Sequence, residues 1–200
     1  ENFYKKVTGI TTSSQGFQNQ LEFVKTTGDY EVWGAEMLLQ KKMNHFLTWL
    51  SYTYNHNNYH FINYEYPVFP NNFEVMHTAS WAGIYEKNNF KIALGTKWTS
   101  GRPKTSPDNS QIDPSNPTLV YNKPNNTNLH IFSQVNFSST YKWETDNGIQ
   151  YKLGISILNI LNRKNEISEY YRISSLTNSI EEVETFSLQR TPNLSFRVSF

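Results

Sequence analysis

Tyr59, Tyr64, Tyr66, Tyr121, Tyr170 and Tyr171, with Arg102 and Arg172, are the side chains in this sequence with the chemistry to recognise a ligand, and all lie in or beside polar stretches. A tyrosine ring stacks on an apolar face, such as that of a sugar, and its hydroxyl gives and accepts hydrogen bonds. An arginine holds an anion through a planar fork of donors. Two other groupings invite a chemical reading. His56 and His60 stand four apart, which on a helix places two imidazoles on one face for a metal. On a strand the same pair is about 13 Å apart, and solvated histidines are the better reading. Glu181-Glu182-Val183-Glu184 is a short acidic cluster; a solvated loop accounts for it more simply than a cation site. His77 and His130 are read as wall or rim residues. No Ser/His/Asp grouping and no glycine-rich phosphate loop stands out. Cysteine is absent, which removes thiolate chemistry and disulfides. These residues point away from an enzyme, and to no cofactor and no metal site. A net charge of +1 over 200 residues points to no nucleic-acid partner.

The elements that must position these residues announce themselves by alternation with period two, the signature of strands. In Phe90–Trp98, Phe90, Ile92, Leu94 and Trp98 share one face, and Lys91, Ala93, Gly95 and Lys97 the other. Leu194, Phe196, Val198 and Phe200 oppose Asn193, Ser195, Arg197 and Ser199. Leu38 and Leu158 fall on polar faces and Lys41 on an apolar one. Eight strands are expected, at about 2–10, 31–43, 46–58, 74–86, 90–101, 129–143, 149–161 and 188–200. Their connections alternate between short (Asn44-His45, Lys87–Asn89, Glu144–Gly148) and long (roughly 11–30, 59–73, 102–128 and 162–187), the long ones rich in Asn, Pro, Ser and Thr.

Hydrophobic residues make up 37% of the chain and aromatics 16%, an odd balance for a soluble core, where apolar residues reach about 45–50%. No apolar run approaches the roughly 20 residues of a membrane helix. Aromatics collect near the short turns (Phe46, Tyr85, Phe90, Tyr141, Trp143, Tyr151) and near the long loops (Trp33, Tyr54, Trp98). Alternating strands, unequal connections and two aromatic girdles together predict an all-β, antiparallel transmembrane β-barrel in contact with outer-membrane lipid. Glu36, Lys91, Lys97, Lys152 and Arg197 are its expected lumen-facing residues.

Several segments also resemble a family. Gly34–Lys42 followed by Trp49–Tyr54 is similar to a paired segment of TonB-dependent receptors of the Bacteroidetes type, and Asn63…Phe69-Pro70…His77 and Trp98–Pro103 continue the likeness in order. Gly154–Asn165 resembles that family's penultimate strand, and Arg190-Thr191-Pro192 with Phe200 its end. The resemblance covers about 30–200. It implies that residues 1–200 are the last eight strands of a roughly 22-stranded barrel with a plugged lumen, in the outer membrane of a Gram-negative bacterium. It implies import of a nutrient ligand (siderophore, vitamin, glycan or peptide). The implied partners are the plug, the remaining strands, TonB through an N-terminal part lying elsewhere, and the barrel assembly machinery, which reads a terminal strand carrying Phe196 and Phe200. A neighbouring surface lipoprotein would add a further partner and point to glycan or peptide. Two alternatives stay open: a free-standing eight-stranded barrel with a structural or adhesive role, and a soluble all-β glycan-binding module.

Overall fold

The computed structural model describes residues 28–62, 64–108 and 119–200, and ahead of them the backbone of four short strands. These four are β1 (Phe3–Tyr4), β2 (Gly9–Ser13), β3 (Gly16–Gln20) and β4 (Phe23–Val24). The rest comprises β5 (Asp29–Met43), β6 (Phe46–His60), β7 (Val68–Pro70), β8 (His77–Lys87), β9 (Phe90–Thr99), β10 (Pro103–Lys104), β11 (Thr127–Asn128), β12 (Phe132–Glu144), β13 (Gln150–Leu158), β14 (Glu166–Ile173), β15 (Ile180–Phe186) and β16 (Thr191–Ser199). The described chain is all-β, every pairing in it is antiparallel, and it contains no helix long and apolar enough to cross a membrane.

Seven long strands form one meandering sheet in the order β5-β6-β8-β9-β12-β13-β16, with β7 added against the end of β6. Tight turns close one end. Asn44 (φ 34°) and Asn88 (φ 52°) take the left-handed conformation that two-residue hairpin turns require, and Gly148 (φ 77°) does so in the next turn. The cross-strand register turns alternation into two continuous faces. One row runs Lys41–Thr48–Gly83–Leu94–Phe137–Ile157–Pro192, and the next runs Met43–Phe46–Tyr85–Ile92–Ser139–Ile155–Leu194. Farther toward the loops come Leu39–Leu50–Trp81–Thr96–Val135 and Met37–Tyr52–Ala79–Trp98–Ser133. The opposite face carries Leu38–Ser51–Ser80–Lys97–Gln134 and Glu36–Thr53–Thr78–Thr99. Lys91, Lys152 and Arg197 share that face, so the residues expected to line a lumen lie together, and Leu38 and Lys41 fall where alternation put them.

Three expectations are corrected. Eight strands were expected in one sheet, and seven long ones form it. The candidate strand at 2–10 lies partly outside the described residues, and its described parts pair locally, β1 with β4 and β2 with β3. A partner a few residues away closes at little entropic cost. No closed barrel forms among the described residues: β5 and β16 are edges. Seven strands in an antiparallel meander leave those two edges running in the same direction, so they cannot complete an antiparallel ring with each other. Finally, the stretch at 162–187 is not plain loop. It folds back on itself as the β14–β15 hairpin, bulged between Glu166 and Ser168.

The packing is inverted relative to a water-soluble domain. Met37, Leu39, Leu94, Ile155, Leu194 and Phe196 are exposed on the sheet. The buried hydrophobic residues among those described, Tyr59, Phe61 and Phe69, lie at the long-loop end.

Candidate functional site

The long-loop end gathers the side chains that can do chemistry. Sequence-remote polar contacts tie three connections together there. Asn125, buried, donates through Nδ2 to the carbonyl of Pro70 and to Asn72, both at 2.6 Å. Arg102 donates to the carbonyl of Ile167, and Lys104 pairs with Glu169 and with Glu182, the latter at 3.6 Å. These bonds hold the β10–β11 connection between the segment around β7 and the β14–β15 hairpin.

Two asparagines anchor the base of this layer. Asn159 (φ 50°) is 1% exposed. Its Nδ2 donates to the carbonyls of Arg163 (2.8 Å) and Leu188 (3.2 Å), its Oδ1 accepts from the Arg163 amide (3.1 Å), and its own amide donates to Asn136 Oδ1 (2.9 Å). Asn165, equally buried, accepts from the Ser133 amide at 2.9 Å. Asn tolerates the left-handed conformation and replaces missing ladder bonds where a strand ends. The sequence reading did not single out these two as determinants. The Asn-rich run 159–165 was the available signal.

The hairpin sorts its charged residues by face. Glu169, Tyr171, Glu182 and Glu184 share one side; Tyr170, Arg172, Glu181 and Val183 share the other. On the first side, burial alone would raise the Glu169 carboxyl, yet hydrogen bonds with Lys104 and Tyr171 hold it down at about 2. Burial and the hydrogen bond to Glu169 push the Tyr171 hydroxyl up to about 12. Burial opposes the charge on Lys104, but the bond to Glu169 outweighs it and raises the lysine. Glu182 is raised by its hydrogen bond with Glu169. On the second side Arg172 Nε donates to Glu181 at 2.8 Å, which lowers the Glu181 carboxyl.

The ligand-contact candidates are therefore not equivalent. Tyr59 is 4% exposed, its ring 5.7 Å from both Phe61 and Phe69. Tyr64 packs on Phe69, and burial, then Glu65, raises its hydroxyl. Tyr66 is exposed beside Tyr64, with ring centroids 6.4 Å apart. Tyr121 is exposed next to a β-bridge with Pro107, and burial of its hydroxyl raises it. Tyr170 and Arg172 form an outward pair, while Tyr171 turns into the Lys104–Glu169 cluster. Tyr66, Tyr121, Tyr170 and Arg172 thus retain surface for a ligand; Tyr59, Tyr171 and Arg102 are committed to contacts within the protein. His56 meets Glu74 at 3.1 Å and His60 meets Glu31 at 3.7 Å, so the two histidines face separate carboxylates. His130, Glu166 and Glu184, by contrast, bring three ligand atoms within 4.8 Å of one another.

At the short-turn end Trp143 lies against Tyr141 (5.8 Å), Tyr151 (5.3 Å) and Phe196 (6.3 Å), and Phe200 projects beyond β16, fully exposed. On the opposite face Lys142, Lys152 and Arg197 stand directly abreast and line an open depression of about 530 Å³. This geometry offers recognition surfaces. No protein-family model matches the chain, and no match is found among curated proteins or solved structures.

Proposed function

We propose that this chain is part of the barrel wall of an outer-membrane TonB-dependent transporter that imports a nutrient ligand. The observation that carries the reading is the sheet of seven long strands with one predominantly apolar face and, among the described residues, two unpartnered edges. Apolar rows run across the sheet between an aromatic row at Trp143–Tyr151 and another at Tyr52 and Trp98. Ser133, beside Trp98, and Trp143 are ten residues apart on β12, about 33 Å along a strand. At the 35–45° tilt of membrane barrels this spans about 25 Å, the height of their apolar band. The polar face, with Glu36, Lys97, Lys152 and Arg197, suits a watery or plugged lumen. The parallel edges call for further strands beyond β5 and β16, and an odd number of them, for an antiparallel ring to close. The resemblance of Gly34–Lys42, Trp98–Pro103 and Gly154–Asn165 supplies the family and, with it, the plug, TonB and the assembly machinery as partners.

Two measurements test this. The full-length protein should fractionate with outer membranes and change its gel mobility on heating, as folded barrels do. Cells lacking it should lose TonB-dependent uptake of one nutrient class. A full-length protein that is folded and soluble without detergent overturns the reading.

A further inference from the structure

The cluster joining the start of β12 to the β14–β15 hairpin holds more carboxylates than its cations answer. Glu166, Glu169, Glu182 and Glu184 come together there. Among the described residues, Lys104 and His130 are the basic side chains in ion-pair contact with them. Lys104 is taken by Glu169 and Glu182. The Glu166 side chain is 2% exposed. Its Oε2 accepts from the His130 amide at 3.2 Å and meets His130 Nδ1 at 2.8 Å. Its Oε1 is buried without a donor. Buried carboxylate oxygens without donors cost free energy that a bound cation removes.

We infer that His130, Glu166 and Glu184 form a binding site for a divalent transition-metal ion of the zinc class, which pins the β14–β15 hairpin to the base of β12. One imidazole nitrogen and two carboxylate oxygens suit Zn²⁺, or Mn²⁺ and Fe²⁺ with more water, better than a softer, thiolate-seeking ion. In a tetrahedral zinc site neighbouring ligand atoms lie about 3.3 Å apart, given metal–ligand bonds near 2.0–2.1 Å. The three ligand atoms lie within 4.8 Å of one another, and the side chain of Glu184 is exposed, which leaves it room to approach the other two. The 2.8 Å His130–Glu166 contact opens by about half an ångström, as metal replaces the proton between the two atoms. With the metal on Nδ1 the imidazole proton resides on Nε2, so one ion binds the neutral imidazole and no net proton is released. Three protein ligands leave a fourth position to water or to a donor atom of an arriving ligand.

This inference does not depend on the transport reading, because its test uses the purified full-length protein alone. Protein without a histidine tag, stripped with chelator, is titrated with Zn²⁺ by calorimetry in two buffers of different ionisation heat. The unmutated protein should bind one equivalent with the same heat in both buffers, and His130→Ala or Glu184→Gln should lower the affinity at least tenfold. Glu184 is exposed, so Glu184→Gln leaves folding intact; the β-sheet circular dichroism spectrum checks this for both variants. His77→Ala should bind as the parent does. Absence of binding at millimolar Zn²⁺, or equal binding by His130→Ala and the parent, overturns the site.

Discussion

The sheet and the loop layer obey opposite rules. In the sheet the large apolar side chains share one face, where Leu94 and Leu194 are exposed, and the small polar and charged ones share the other, where Gly154 is buried. In the loop layer aromatic rings are covered by aromatic rings, and Asn159 and Glu166 are buried and held by hydrogen bonds through at least one side-chain atom. The layer covers its own apolar rings as a water-soluble domain does. The sheet leaves its apolar surface uncovered. On the proposed transporter reading the chain meets two solvents, and a perturbation should act according to the solvent its residue faces.

The largest expected effect tests that contrast in the sheet. Leu94→Arg places a charge in the middle of the apolar face and should cost about 2–4 kcal/mol in lipid vesicles. Ser138→Arg, on the polar face, should cost well under half of that by the same denaturant titration. Equal costs would erase the distinction between the faces.

In the loop layer, Asn159→Leu removes hydrogen bonds to the Arg163 and Leu188 carbonyls and places a branched side chain at positive φ. About 2–3 kcal/mol should be lost, read as faster hydrogen exchange at residues 159–190 with the sheet amides still protected. Lys104→Met leaves Glu169 buried without its cation and should release the β14–β15 hairpin by about 1–3 kcal/mol, seen in the same exchange experiment as a more local loss.

Acidity sharpens the comparison further. The Glu169 carboxyl sits at about 2, below its ordinary 4.5, so its contribution is complete above pH 4.5 and disappears as pH falls toward 2. Tyr171, raised from 10 to about 12, contributes below pH 10 and loses that contribution as pH rises toward 12. The hairpin should therefore open at both extremes, by tyrosine and tryptophan fluorescence or exchange, while the sheet stays paired. The smallest effect is expected of Arg172→Ala. Its bond to Glu181 is exposed, and exposed pairs contribute little. Stability should not change measurably, and a loss of ligand affinity without a loss of stability would mark the outward Tyr170–Arg172 face as the contact surface.

Much of the sheet was legible in advance because each of its strands carries its own pattern. The strand predicted at 90–101 is Phe90–Thr99, and that at 31–43 is Asp29–Met43. The two-residue turn at Asn44-His45 follows from asparagine's tolerance of positive φ. The predicted ligand residues fared unevenly for a physical reason. Composition marks Tyr59 and Tyr170 alike as loop-end tyrosines. Only the fold of β7 back onto β6 brings Phe69 opposite Tyr59 and covers it. Likewise Tyr170 and Tyr171 are neighbours in sequence, but strand alternation in β14 turns them to opposite sides. The hairpin itself escaped notice because Glu166–Ile173 alternates charged with apolar residues too irregularly around the bulge.

By itself the sequence determined the seven long strands of the sheet, their two faces and the end at which they turn tightly, since side-chain period and turn chemistry are local properties. Tertiary structure alone decided that seven long strands and the short β7 share a sheet and that the sheet's edges run parallel. It also decided that Lys104 meets Glu169 and that His130, Glu166 and Glu184 converge. Lys104 and Glu169 are 65 positions apart and His130 and Glu166 are 36 apart, and no local pattern encodes which carboxylate a given cation will reach.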